Sequence, residues 1–132
     1  MKFLTPLLLA AAMMLTAATC NNTANKTATA ATKCFKGRLE IKGICMNYVI
    51  KVLEGDNKAL AIDSSWTDES DGKIYQNVFA LGNKCNFPDM EEGAEFYFTI
   101  DGKEDPSCNV CMAFRPVPAS KNNIVVSKTA CP

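Results

Sequence analysis

The chain has 132 residues, with 14 basic and 14 acidic side chains and no histidine. This length allows one folded domain plus processing segments. The sequence shows no basic stripe of the kind typical of nucleic-acid-binding proteins. The lack of histidine excludes Ser-His and Cys-His nucleophilic catalysis in their usual forms.

The N-terminus has the pattern of an export signal. Lys2 provides the positive start, residues 3–15 are mostly apolar, and small residues follow. The apolar stretch is shorter than the roughly 20 residues that a membrane-spanning helix needs. The pattern therefore predicts a signal peptide over residues 1–19, with an uncleaved membrane anchor as the alternative.

Residues 15–20, LTAATC, resemble the lipobox of bacterial lipoproteins, with Thr19 at a position where Gly, Ala or Ser is commoner. In that family the cysteine at the cleavage site becomes the N-terminal residue and carries a lipid. The resemblance implies that Cys20 is lipidated and that the protein is attached to a membrane of the bacterial cell envelope. Ordinary cleavage near Ala18, which would give a secreted or soluble periplasmic protein, is the alternative.

The stretch after Cys20 is small and polar. It reads NNTANKTATAATK and contains no large apolar residue, so it cannot bury enough surface to offset the entropy of ordering. We expect a flexible tether over residues 20–33 and a folded domain over residues 34–132. A domain of this size is stabilised appreciably by covalent cross-links.

The first half of the domain contains several strand patterns. Residues 35–42, FKGRLEIK, alternate, with Phe35, Gly37, Leu39 and Ile41 predicted to face one side. Residues 45–53 are rich in β-branched and aromatic side chains, and residues 58–63 are a third predicted strand. The Asp71-Gly72 pair indicates a hairpin turn that leads into a strand over residues 74–81.

The second half continues in the same way. Residues 95–101 alternate with Phe96, Phe98 and Ile100 predicted inward, and residues 111–114 and 124–127 complete the set. A short turn is predicted over residues 86–92. No window favours a long helix.

Short strands separated by frequent turns predict an all-β domain, and we favour a small barrel of five or six strands. Residues 90–98, MEEGAEFYF, resemble the turn–glycine–strand entry common in the OB-fold, which implies an OB-like barrel. The alternative is a β-sandwich. The immunoglobulin form of that sandwich is disfavoured because Trp66 is expected in a polar turn and not between spaced cysteines.

The number of cysteines, seven, supports both the predicted export of the protein and the predicted lipidation of Cys20. If Cys20 carries the lipid, six remain in the domain, an even number suited to disulfides in an oxidising compartment. We expect Cys34 to pair with Cys131, because this bond closes the longest loop. The sequence leaves the pairing of the other four open: Cys45 and Cys85 bond to Cys108 and Cys111 in either order, or Cys108 and Cys111 form a bridge within a turn.

The Cys-x-x-Cys spacing of Cys108 and Cys111 also occurs in redox and zinc sites. A redox pair needs its first cysteine at a helix N-terminus, and Pro116 and Pro118 prevent a helix from running through this segment. A zinc site needs four ligands, and no second close pair exists. Structural disulfides are the favoured interpretation, with thiol–disulfide exchange by Cys108 and Cys111 as the alternative.

Residues 63–72 contain the best candidate binding surface. Trp66 and Tyr75 are suited to contact a sugar, a peptide or a protein, and Asp68 and Asp71 lie near them in the sequence. The carboxylates are of the kind that calcium uses, but their spacing is not that of an EF-hand. An exposed hairpin tip with the tryptophan packed against the barrel end is the plainer interpretation.

These patterns together predict a cell-envelope lipoprotein that is not an enzyme. We expect a binding or structural module without a metal or other cofactor, attached to the membrane through its N-terminal lipid. Its ligand would be a protein or a carbohydrate, and nucleic acid is not an expected partner.

Overall fold

A computed structural model describes residues 33–100 and 102–132. The predicted signal peptide, the lipidation of Cys20 and the tether up to residue 32 lie outside the described residues. Within the described ranges, no helix has the length and apolar character needed to cross a membrane.

The described chain forms seven strands in one sheet. They are β1 (Cys34–Lys42), β2 (Tyr48–Glu54), β3 (Asp63–Thr67), β4 (Ile74–Leu81), β5 (Glu95–Thr99), β6 (Lys121–Asn122) and β7 (Val125–Ser127). Three short 3₁₀ turns, Ile44–Met46, Asn57–Ala59 and Lys84–Asn86, lie between them. Since neither described range contains an α-helix, the predicted all-β class is confirmed.

The strand order is β3-β4-β2-β1-β5-β7, and every pair on this path is antiparallel. Strand β6 pairs in parallel with β4. It lies on β4 beyond the part that β3 covers, because β3 pairs up to Val78 and β6 begins at Ala80.

One short segment connects the two ends of this sheet. Strands β6 and β7 are close in sequence, yet β6 pairs with β4 and β7 pairs with β5. Between them, buried Ile124 donates its backbone N–H to Asn83 Oδ1 (2.8 Å) and accepts from Asn83 Nδ2 (2.6 Å) at its carbonyl. No ladder between β6 and β7 is found in the described residues, so hydrogen bonds do not close the sheet.

The main core lies on one face of the sheet. Phe98 is at its centre: its ring stacks on Phe35 with centroids 5.3 Å apart and contacts Phe79 at 5.9 Å. Gly37 allows this packing, since a Cβ there would lie 2.9 Å from Phe98 Cε1. The other buried members are apolar residues from most strands and loops: Leu39, Ile50, Val52, Leu60, Leu81, Phe87, Phe96 and Ile124.

A second, smaller cluster is made by Ile41, Val49 and Val78. Leu39 pairs with Ile50 but Ile41 pairs with Val49, so the register shifts at the residue between them. Consecutive strand residues point to opposite faces, and this bulge therefore turns Ile41 to the face opposite Leu39. The prediction that Ile41 lies on the same side as Phe35 and Leu39 is wrong.

The early strand boundaries differ from those predicted. Residues 45 and 46 have φ of +51° and +56° and lie in a 3₁₀ turn, so β2 begins only at Tyr48. The strand predicted over residues 58–63 is wrong, because the Asp56 side chain accepts from Lys58 N and begins another 3₁₀ turn. The strand instead begins at Asp63, which places Trp66 within β3 and not in a polar turn.

Two later predictions also fail. Strand β5 ends at Thr99, and Ile100 beyond it is 38% exposed instead of inward. Residues 111–114 are not a strand. Pro116 and Pro118 follow closely and cannot donate to a ladder, and Cys111 is bonded to a turn instead of lying beside a strand.

Candidate functional site

Three disulfides join the domain. Cys34 is bonded to Cys131, as predicted, with Cα atoms 5.5 Å apart. The two cysteines of the Cys-x-x-Cys stretch bond to different turns: Cys111 to Cys45 and Cys108 to Cys85, with Cα separations of 5.0 and 5.6 Å. A bridge between Cys108 and Cys111 is therefore absent, and the disulfides indicate an oxidising compartment such as the periplasm or the exterior.

Residues 111–120 form an irregular segment that is fixed along its length. Near its start, Ala113 N donates to Cys45 Sγ (3.3 Å) and Asn47 Nδ2 donates to Ala113 O (3.1 Å). At its end, Ala119 N donates to Asp63 Oδ2 (2.9 Å) and Ser120 Oγ donates to Asp63 Oδ1 (2.6 Å). The segment is thus held mainly by a disulfide and by side-chain hydrogen bonds, and it meets a strand only at its end, where Ser120 O accepts from Ala80 N at 2.8 Å.

Asn47 connects this segment to a second loop. Its Oδ1 accepts from Lys84 Nζ at 3.1 Å, while its Nδ2 donates to the carbonyl oxygens of Ile44 and Ala113. Burial, together with the positive charge of Lys121, lowers the pKa of Lys84 below its ordinary value. Both polar ends of the Asn47 amide are therefore used, which fixes the positions of the turn and the segment relative to each other.

Trp66 and Tyr75 form a cross-strand pair on the β3–β4 hairpin. Their ring centroids are 5.7 Å apart with the planes tilted by 30°. Both rings are half-buried and pack with Val117 against the second cluster. Part of each ring therefore covers apolar side chains, and only the remainder faces solvent.

Asp68 is at the start of the hairpin turn and is fully buried. Its carboxylate accepts from Ser70 N (2.8 Å), Ser70 Oγ (2.5 Å) and Arg115 Nη2 (2.8 Å). Its backbone N–H donates to Lys73 O, and its carbonyl accepts from Gly72 N. Gly72 has a φ of +72°, a conformation that glycine adopts readily. Asp68 therefore stabilises the turn and connects it to the 111–120 segment, and its buried carboxylate is not part of an exposed surface.

Asp71 lies in the same turn and is exposed. It accepts from Lys73 N at 2.9 Å and pairs with Lys73 Nζ at 3.3 Å. These contacts, led by the backbone hydrogen bond, lower the pKa of the Asp71 carboxyl. The structure thus brings Trp66, Asp68, Asp71 and Tyr75 together on one hairpin, with Asp68 inside it.

The three aspartates of residues 63–71 bind protein atoms. Asp63 accepts from Ala119 and Ser120, Asp68 from Ser70 and Arg115, and Asp71 from Lys73. Over residues 33–100 and 102–132, no group of three His, Cys, Asp or Glu side chains is arranged to hold a metal ion.

Exposed apolar side chains lie within three residues of the two cysteines of the Cys45–Cys111 disulfide along the chain. Ile44, Met112 and Phe114 are 60%, 98% and 85% exposed, and we call them the apolar loop surface. Sequence reasoning did not single out these residues, because residues 111–114 are predicted as a strand and Ile44 lies between two predicted strands. The following Pro116 and Pro118 were the signal that this run does not belong to a central strand.

The apolar loop surface neighbours the Trp66–Tyr75 hairpin. Arg115 directly follows Phe114, and its guanidinium pairs with Asp68, which directly follows the end of β3. The two neighbouring surfaces together present apolar and aromatic side chains that a ligand or partner could contact.

Comparison of the chain with models of protein families, with curated proteins and with solved structures found no match.

Proposed function

We propose that this protein is an exported, non-catalytic binding module that contacts a partner protein through the apolar loop surface. The observation that carries the proposal is the exposure of Met112 and Phe114, 98% and 85%, on a backbone held by the Cys45–Cys111 disulfide and by Asn47. Methionine and aromatic residues are enriched in protein interfaces, whereas lysine and acidic residues are depleted.

The rigidity of the loop supports a binding role. A loop that is already ordered loses little further conformational entropy on association. Single exposed apolar residues are common on monomers, but here three occur on two segments that a disulfide joins. Residues 107–114 contain no charged side chain, as expected for the centre of an interface.

The Trp66–Tyr75 pair extends the proposed contact area. The Arg115–Asp68 ion pair connects its hairpin to the segment that carries Phe114. Aromatic rings with one solvent-facing part also suit a carbohydrate, which is the second class of ligand that we consider for this hairpin, with exposed Asp71 beside it.

Position-specific photo-crosslinking tests the proposal. A photoreactive residue at position 114 should give a discrete adduct in the cells that make the protein, and the adduct should be lost when Met112→Lys is added. The same probe at Lys58, an exposed residue on another turn, is the matched control. Absence of the adduct at position 114, or equal adducts at both positions, would overturn the proposal.

We also propose that Cys20 carries a lipid and that residues 20–33 tether the domain to the cell envelope after removal of residues 1–19. The lipobox-like sequence and the disulfides of an oxidising compartment support this. Intact-mass measurement of the mature protein is the test. A mass that corresponds to acylated Cys20 supports lipidation, whereas cleavage near Ala18 without a lipid refutes it and leaves a soluble exported protein.

For the architecture, we propose an OB-like barrel whose last side is formed by residues 121–127. Two observations support it: β6 and β7 reach opposite ends of the sheet, and Gly93, with φ of +89°, directs the chain into β5. Pairing with β1 begins one residue before β5, where the Ala94 carbonyl accepts a hydrogen bond from Leu39 N at 3.0 Å. An experimental structure that shows two packed sheets would refute the barrel.

Thiol–disulfide exchange through Cys108 and Cys111 is the alternative function, since Cys111 is solvent-exposed. The two proposals give opposite results in one assay. A binding module should contain no reactive thiol and should not reduce insulin after mild reduction. An exchange protein should expose a thiol of lowered pKa and catalyse the reduction.

A further inference from the structure

A cavity of about 500 Å³ lies between the 3₁₀ turn Lys84–Asn86, the loop at Lys103 and strand β7. Its apolar walls are formed by Pro88, Ile124, Val125 and Val126. Sites for small molecules typically measure about 300–1,000 Å³ and are mostly apolar. No residue of the apolar loop surface lines this cavity, so it is a second and separate feature.

The charged residues that line the cavity are all positive. Lys103 and Lys128 line it, and no carboxylate does among the described residues. Neither lysine has an acidic side chain within ion-pair distance in the part of the chain that the structure describes. The residues that line the cavity therefore carry a positive charge, which attracts an anion.

The cavity walls are fixed in place. Asn83 uses its amide to bond both backbone groups of Ile124, which fixes the residue directly before β7, the strand that forms one wall. Asn86 Nδ2 donates to Lys103 O at 3.0 Å, which holds the loop that carries one of the lysines. A ligand would therefore enter a site that is already formed, with little ordering entropy to lose.

We infer that this cavity binds a small amphipathic carboxylate. Its apolar chain would lie against Pro88, Val125 and Val126, and its carboxylate would be held by Lys103 and Lys128. Charge-assisted hydrogen bonds of this type are stronger than those between neutral groups. The inference uses a surface other than the one proposed for the partner protein, so either proposal can fail without the other.

The test is a titration of the ¹⁵N-labelled exported protein with decanoate, followed by NMR. Amide shifts are expected at residues 86, 103 and 124–128, with decanol and decyltrimethylammonium binding at least about tenfold more weakly. Equal affinity for the three probes, shifts confined to other residues, or no shift with about 1 mM decanoate would overturn the inference.

Paired variants separate charge from fold. Lys103→Gln with Lys128→Gln should raise the Kd for decanoate about tenfold or more, whereas Lys58→Gln with Lys73→Gln, exposed positions away from the cavity, should leave it unchanged. Lys103→Arg with Lys128→Arg keeps both charges and should bind nearly as well as the natural protein. Equal loss in the Gln and control pairs would refute the role of the two lysines.

Discussion

The sheet and the 111–120 segment are stabilised by different means. In the sheet, Phe35, Phe79 and Phe98 are at most 1% exposed and pack on one another. In the segment, Met112 and Phe114 are exposed. The backbone is held by a disulfide, the Asn47 amide and the Asp63 carboxylate, and the Arg115 side chain is held by the Asp68 carboxylate. Burial of apolar surface thus stabilises the sheet. Covalent and polar contacts order the segment and leave Met112 and Phe114 exposed, although Val117 further along packs against the second cluster.

The sharpest contrast is between two phenylalanines. Phe98→Ala removes a fully buried ring that three other phenylalanines contact, and should lower the free energy of unfolding by about 3–5 kcal/mol. Phe114→Ala deletes the same atoms from an 85% exposed side chain and should change it by less than about 0.5 kcal/mol. Urea denaturation measures both, and similar values for the two variants would contradict the comparison.

Removal of the Cys45–Cys111 disulfide tests how far this covalent bond orders the 111–120 segment. Cys45→Ser with Cys111→Ser should lower stability by about 2–4 kcal/mol, because the bond restricts the unfolded chain. Amide exchange at Ala113 and the residues after it should accelerate more than exchange in β1 and β5, since the sheet keeps its core. Unchanged exchange at Ala113 would show that the disulfide does not hold the segment.

A substitution at Asp68 tests the polar contacts that hold the 111–120 segment. Asp68→Ala leaves the Arg115 guanidinium without its partner and Ser70 without its acceptor. Since Arg115 is 22% exposed and water can partly replace the carboxylate, we expect a loss of about 2–3 kcal/mol. Asp71→Ala, which removes an exposed carboxylate in the same turn, is the control and should cost clearly less than Asp68→Ala, because solvent screens its contacts. Equal losses of stability in the two variants would show that the buried Asp68–Arg115 pair contributes no more than the exposed Asp71 carboxylate.

The smallest effect concerns pH in the loop before the segment. Hydrogen bonds from Ser107 Oγ (2.6 Å) and Ser107 N (2.8 Å) lower the pKa of Asp105. The folded pKa lies below the unfolded one, so the associated stability is present above the unfolded value and is lost as pH falls through the folded pKa. Ser107→Ala should raise the pKa of Asp105 in an NMR titration, and Ser64→Ala, an exposed serine on β3, should not.

Several elements could be predicted from the sequence because their signals are local. The alternation of residues 35–42 predicted β1, and the Asp71-Gly72 pair followed by a β-branched and aromatic run predicted β4 with its observed bounds. The Cys34–Cys131 pair followed from loop length alone. In contrast, the bulge that redirects Ile41 depends on the register with β2, which the alternation of β1 does not contain.

The candidate site was predictable only in part. Trp66, Asp68, Asp71 and Tyr75 were expected together because a hairpin joins them, but the burial of Asp68 requires Arg115, which lies 47 residues further along the chain. The exposure of Met112 and Phe114 was missed, since an apolar run reads as core unless its neighbours exclude a strand.

The sequence by itself determined the all-β class, the positions of β1 and β4 and the need for disulfides, because side-chain alternation, turn chemistry and cysteine number act over a few residues or over the whole composition. Only the tertiary structure decided that Cys108 and Cys111 bond to Cys85 and Cys45, which face of the sheet carries Ile41, and which apolar side chains remain exposed. These outcomes depend on contacts between segments distant in sequence, and a local sequence pattern contains no information about such contacts.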